Sequence, residues 1–124
     1  MRLIGAVAVG AIIGALLRFG LQRIGNTSSL YPVGTLFVNV GGSFVLGLVV
    51  GWVGVQPYPW FQGITAGFCG SLTTFSSISL ETFFMLREGL YWRAGAYILL
   101  TLGLGLIGLA LGYGLGTKLQ KIYL

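Results

Sequence analysis

Gly67-Phe68-Cys69-Gly70-Ser71-Leu72-Thr73-Thr74-Phe75-Ser76-Ser77-Ile78-Ser79-Leu80-Glu81 sets two glycines, six serine or threonine residues and a carboxylate inside an otherwise apolar run. Apolar helical sequence flanks it on both sides, and the run that contains it, 60–87, is longer than the roughly 20 residues one straight membrane span needs. The midpoint of that run falls at Thr73 and Thr74, which places the polar stretch near a bilayer midplane. Glycine and β-branched threonine weaken a helix, and Ser or Thr side chains bond freed backbone groups. The stretch therefore predicts a helix broken at depth, a conformation that persists only when buried in protein or lining a water-filled cavity. Carbonyls exposed in such a break are typical cation ligands. The competing reading is an unbroken helix whose hydroxyls bond back to the i−4 carbonyls.

The composition supports the membrane setting. The chain has 124 residues, 56% hydrophobic and 7% charged, with 22 glycines, which is unlike a soluble domain. After short loops there is room for about four spans and no soluble domain, so residues 1–124 read as one all-α transmembrane unit. Cys69 has no second cysteine to pair with, and no histidine is present to complete a metal site, so it reads as small-residue packing. The net charge of +5 would suggest nucleic acid for a soluble protein, but here the basic residues sit at the ends of apolar runs, as membrane topology requires, and no nucleic-acid partner is expected. Arg2 and the apolar run behind it imitate a signal peptide, yet no cleavage site follows and the run continues past Arg18, so a first spanning helix is expected instead.

In chain order, helix 1 is predicted at 3–22, with Gly10 and Gly14 at a spacing that lets another helix approach closely. Arg18 in its last turns either snorkels to the interface or lines an aqueous vestibule that attracts anions. Residues 23–31 read as a polar loop, and Pro32 suits the first turn of helix 2 at 32–53. Thr35, Asn39 and Ser43 fall at i, i+4 and i+8, a polar stripe that Gly47 and Gly51 continue. Asn39 lies roughly 10 Å into the span, where hydrocarbon cannot satisfy an amide. An interhelical hydrogen bond would satisfy it; so would a narrow polar pathway walled by the stripe.

Beyond the break, Phe75, Ile78 and Thr82 share one helical face, and Ser76, Ser79 and Phe83 the next. The edge of Phe75 carries the positive part of the ring quadrupole and can face an anion, though an aromatic at helical spacing also simply packs. Glu81 is expected to pair with an arginine, since its charge does not suit lipid. Residues 87–93 read as an interfacial loop, with Glu88 solvated, and helix 4 is predicted at 94–117. Tyr97 and Thr101 form its polar stripe, and Gly108, Gly112 and Gly116 its small-residue face.

Four spans place Arg2, Lys118 and Lys121 on one side of the membrane and Arg23, Arg87 and Arg93 on the other, with Arg18 added if it snorkels there. So balanced a distribution gives little orientation signal, and both insertions are expected. The simplest closed assembly is then an antiparallel homodimer with its two-fold axis in the membrane plane. Elements at the midplane meet their own copies on that axis, so carbonyls of the break can converge on a structural cation.

These residues resemble the CrcB/Fluc fluoride channels along the whole chain: G-A-L-L-R at 14–18, G-T-L-F-V-N at 34–39 and G-x-x-T-T-F-S-S-x-S-x-E at 70–81. The resemblance implies a dual-topology antiparallel homodimer in the bacterial plasma membrane, with two fluoride pores, a broken third helix and a central sodium ion. Carried over by position, Gly70 and Thr73 supply the sodium-binding carbonyls, Asn39 the pore amide, and Phe75 the first of two pore phenylalanines. The second is Ile78 here, one polarised aromatic edge fewer in each pore. Ser76, Ser79 and Thr101 match a polar track, Tyr97 a tyrosine beside the pore, and Arg18 a vestibule arginine. Chemically the set is apt for a small hydrated anion: Asn39, Ser76, Ser79 and Thr101 replace water with hydrogen-bond donors and bring no fixed negative charge.

The alternative is a small multidrug-type proton-coupled exporter, which needs a carboxylate deep in the bundle, where helix 1 offers only Arg18. A structural or assembly factor would leave Asn39 and the 70–79 stretch without a task. An enzyme is least expected, as no nucleophile–base pair or metal cluster is evident.

Overall fold

The computed structural model describes residues 1–27 and 31–123. The elements among them are all helical: α1 (Arg2–Gly25), α2 (Val33–Val53), α3 (Pro59–Gln62), a π-helical stretch (Gly63–Cys69), α4 (Gly70–Leu72), α5 (Phe75–Arg87) and α6 (Tyr91–Tyr123). Three of them, α1, α2 and α6, are long and apolar enough to cross a membrane. The run expected at 60–87 is in two pieces, with Thr73 and Thr74 extended between them (φ −78°, ψ 155° and φ −150°, ψ 117°). The broken reading of this segment is therefore the correct one. Hydroxyl back-bonding does occur beside the break: Thr65 Oγ1 donates to the Phe61 carbonyl at 2.8 Å, and Ser79 Oγ to that of Phe75 at 3.0 Å.

Close glycine seams join the helices. Gly10 and Gly14 of α1 lie against the backbone of Gly63 and Phe68, where a Cβ would overlap a carbonyl oxygen. Gly47 and Gly51 of α2 meet Leu109 and Tyr113 of α6, and Gly112 and Gly116 of α6 meet Phe44 and Leu48 of α2 in return. Hydrocarbon gives no hydrophobic drive to such pairs; close backbone approach and van der Waals contact hold them. Side chains such as Leu16, Phe19, Leu99 and Leu106 stay largely exposed on the outer faces, as suits a chain solvated by lipid.

Several helix boundaries differ from expectation. The loop predicted at 87–93 shrinks to 88–90, because Gly89 takes φ +75° and closes α5 with a Schellman turn: Leu90 N–H donates to the Met85 carbonyl at 2.8 Å and Gly89 N–H to that of Leu86 at 3.0 Å. As a result α6 starts at Tyr91 and runs on to Tyr123, well past both predicted ends. α1 likewise extends to Gly25, which brings Arg23 into the helix. In the predicted loop 23–31, Ser28, Ser29 and Leu30 lie outside the described residues.

Candidate functional site

The site is built on the break, and its local cause is the loss of helical hydrogen bonds at Thr73 and Thr74. Thr73 closes the upstream half: its N–H and its Oγ1 both donate to the Cys69 carbonyl at 3.0 Å. Thr74 opens the downstream half as an N-cap, its Oγ1 accepting the Ser77 N–H at 3.1 Å. The peptide groups between these caps need partners from elsewhere. Asn39, buried in α2, serves Thr74: its Oδ1 accepts the Thr74 N–H at 2.7 Å, and its Nδ2 lies 3.4 Å from the Thr74 carbonyl. The interhelical reading of Asn39 thus holds, and the same side chain also faces a cavity of about 310 Å³ bordered by Ser43, Thr73, Thr74, Phe75, Ile78 and Thr101.

The Gly70 and Thr73 carbonyls are among those left over by this arrangement. In a continuous helix the Gly70 carbonyl would accept from Thr74 N–H and the Thr73 carbonyl from Ser77 N–H. Both donors are directed elsewhere, to Asn39 Oδ1 and to Thr74 Oγ1. Gly70 is exposed, and a Cβ there would meet only the Thr65 carbonyl, at 3.8 Å, so its surroundings are open. Hard oxygen donors on an open face fit an alkali cation in kind, although two carbonyls from one chain fall short of a full shell. The neighbouring Ser71 carbonyl is taken by Arg18 Nε at 2.9 Å. Arg18 is half-buried, so it neither snorkels away nor stands free: it caps the end of α4.

The remaining candidate residues divide into those that gather at the cavity and those that do not. Phe75 stands 82% exposed at its rim. Ile78 is half-buried and packs toward the cluster of Met85, Ala94 and Tyr97. Phe75, Ile78, Ser79 and Thr101 also border an adjoining apolar cavity of about 390 Å³. Thr101 Oγ1 is buried and lacks a hydrogen-bond partner among the described residues, as does Thr82 Oγ1. Ser76 is exposed on the first turn of α5, its Oγ 3.2 Å from Thr74 Oγ1.

Tyr97 borders neither cavity, although Ile78 packs against its cluster. It is fully buried and donates to Glu81 Oε2 at 2.6 Å. The arginine expected opposite Glu81 is replaced by neutral donors: Thr35 Oγ1 at 2.6 Å and Asn26 Nδ2 at 3.3 Å both reach Oε1. Hydroxyls and an amide at the helix junction already satisfy the carboxylate, so an ion pair is not required. Gln22 and Asn26, which join this network, escaped sequence reading because nothing in the helical period links α1 to a carboxylate on α5. Their spacing of four residues at the end of α1 is the one available signal.

Residues 5–113 match the family model described as CrcB-like protein, Camphor Resistance (CrcB). The chain belongs to the CrcB family. A relative from Vibrio cholerae serotype O1, named fluoride-specific ion channel FluC, is 37% identical over 116 residues, covering 90% of this chain and 92% of its own. Proteins of the same name from Thermococcus gammatolerans and Ignicoccus hospitalis are 43% and 35% identical, covering 86% and 93% of this chain and 92% and 95% of theirs. With three helices able to cross a bilayer, this CrcB-family chain is a multi-pass membrane protein, and its relatives are ion channels rather than enzymes.

Proposed function

We propose that this chain is a fluoride-selective passive channel that releases fluoride from the cytoplasm. The observation that carries the reading is the match to fluoride-specific ion channels along nearly the full length of both partners. It favours a channel over the proton-coupled exporter. Geometry adds support. Asn39, Ser43, Thr74 and Thr101 bring amide and hydroxyl groups to one cavity with no carboxylate on its wall. Thr101 retains an uncommitted buried hydroxyl, and the exposed Phe75 offers a ring edge at the rim. A small anion losing its hydration shell needs donors of this kind.

In this reading the broken segment is a fourth span, since α5 with 13 residues is too short to cross by itself and the 59–72 piece supplies the rest. Two copies insert in opposite orientations and pair as an antiparallel homodimer with two pores. The Gly70 and Thr73 carbonyls of both copies hold a structural sodium ion on the axis, whose positive charge would offset the carbonyl ends of the half-helices. Asn39, Phe75, Ile78, Ser76, Ser79 and Thr101 line the pores, with Tyr97 beside them and Arg18 toward the vestibule.

The test is ion efflux from liposomes holding the purified protein, with potassium made permeant by valinomycin. Rapid loss of fluoride with negligible loss of chloride is expected. Equal loss of both anions, or fluoride loss that demands a proton gradient, would sink the proposal.

A further inference from the structure

A carboxylate near an anion path is a liability, because a fixed negative charge repels the ion the path should admit. Glu81 borders a polar cavity of about 460 Å³ together with Asn26, Tyr31, Glu88 and Arg93, at the end of the stripe that begins with Thr35. Its charge is nevertheless tied down on both oxygens, by Tyr97 on Oε2 and by Thr35 and Asn26 on Oε1.

The Thr35 hydroxyl decides how firm that tether is. A threonine hydroxyl has one hydrogen to give and two lone pairs to receive with. Gln22 Nε2 at 2.9 Å and Asn26 Nδ2 at 3.0 Å both donate to Thr35 Oγ1. The lone pairs are thereby filled, and the single hydrogen is left for Glu81 Oε1 at 2.6 Å. Thr35 is fully buried, so water does not compete for these positions. Asn26 also accepts the Thr35 N–H through Oδ1 at 3.2 Å, fixing the first turn of α2 in the same arrangement.

We infer that Gln22 and Asn26 are positioning residues: by saturating Thr35 Oγ1 they make it an obligatory donor, which pins the Glu81 carboxylate to the helix junction and out of the mouth cavity. The inference rests on the reading of this face as an anion path. Without the two amides the Thr35 hydroxyl is free to rotate, and Glu81 is free to turn into the cavity it borders.

The composition makes a direct test possible. Glu81 and Glu88 are the chain's two acidic residues, so in a Glu88→Gln protein the infrared carboxylate stretch of side-chain carbon-13-labelled glutamate reports Glu81 alone. Gln22→Met is expected to shift that band and to lower fluoride efflux several-fold. In a Thr35→Val background the same change is expected to leave the band where Thr35→Val has put it. Gln22→Leu, which likewise removes only the donor to Thr35 Oγ1, repeats both measurements should Gln22→Met fold poorly. An unmoved band, an equal shift without the Thr35 hydroxyl, or undiminished efflux despite a shifted band would each overturn the inference. Failure of the unmodified protein to pass fluoride would instead overturn the channel reading, which the band does not depend on.

Discussion

At Thr74 the main-chain N–H has lost its helical acceptor, and one side chain from another helix supplies the replacement. Asn39 does this because a primary amide offers an acceptor and a donor on one rigid plane, the same pair a peptide group presents. The hydrogen bond from Thr74 N–H, at 2.7 Å, is the firmer of the two. The longer one, from Nδ2 to the Thr74 carbonyl at 3.4 Å, leaves the NH₂ group partly free to serve an ion in the adjoining cavity. Asn39→Asp keeps the acceptor and deletes the donor. The lost donor costs an anion about 1–3 kcal/mol of stabilisation, and the added negative charge repels it further. Fluoride efflux through Asn39→Asp is therefore expected to fall by roughly two orders of magnitude or more, with the proposed dimer eluting on gel filtration as the unmodified protein does. Undiminished efflux would remove Asn39 from the path.

Among the elements, the pairing of α2 with α6 is the most extensive contact, and it is a seam of backbone on backbone. Gly112 sits where its Cβ would overlap the Phe44 carbonyl, whereas Gly114, two residues on, has open space on its outer side. A valine at each position separates packing from helix propensity. Gly112→Val should force α2 and α6 apart and cost about 1–3 kcal/mol, read as a lower thermal midpoint of the detergent-solubilised protein. Gly114→Val should be close to neutral, since the weak intrinsic helix preference of valine differs from that of glycine by only a few tenths of a kcal/mol or so. Equal effects would mean that the seam is not what holds the pair. The break belongs to this scale too. Its two halves are joined by two extended residues, and the π-helical turns just upstream are wider than α turns, a feature often found beside functional sites.

For the whole molecule, the charge count governs insertion. Arg2, Lys118 and Lys121 oppose Arg23, Arg87 and Arg93 on the proposed topology, so neither orientation is favoured. A cysteine at position 118, introduced as Lys118→Cys into a Cys69→Ser background, should react with a membrane-impermeant thiol reagent in about half of the molecules in intact cells. Complete labelling or none would exclude dual insertion. Several lysines appended at the C-terminus should commit the chain to one orientation and abolish fluoride efflux, and co-expression with an oppositely biased copy should restore it.

Much of this protein is legible from local pattern. Apolar runs mark the spans, small residues every fourth position mark the seams, and the cluster of glycine and hydroxyl residues at 67–81 marks the break, because each depends on near neighbours in the chain. The boundaries of α6 were less legible, since the Gly89 turn let α5 and α6 follow one another almost directly. What local pattern did not reveal was which polar groups meet. Asn39 finds Thr74 across 35 residues, Thr35 finds Glu81 across 46, and Arg18 finds Ser71 across 53. The helical period orders residues on a face and carries no information about which other face will oppose it. Polarity at depth therefore named Asn39 and Glu81 as groups needing partners and left Arg18 between the interface and a vestibule, but the partners themselves were chosen by helix packing: a helix break for Asn39, neutral donors for Glu81 where an arginine was expected, and a carbonyl for Arg18.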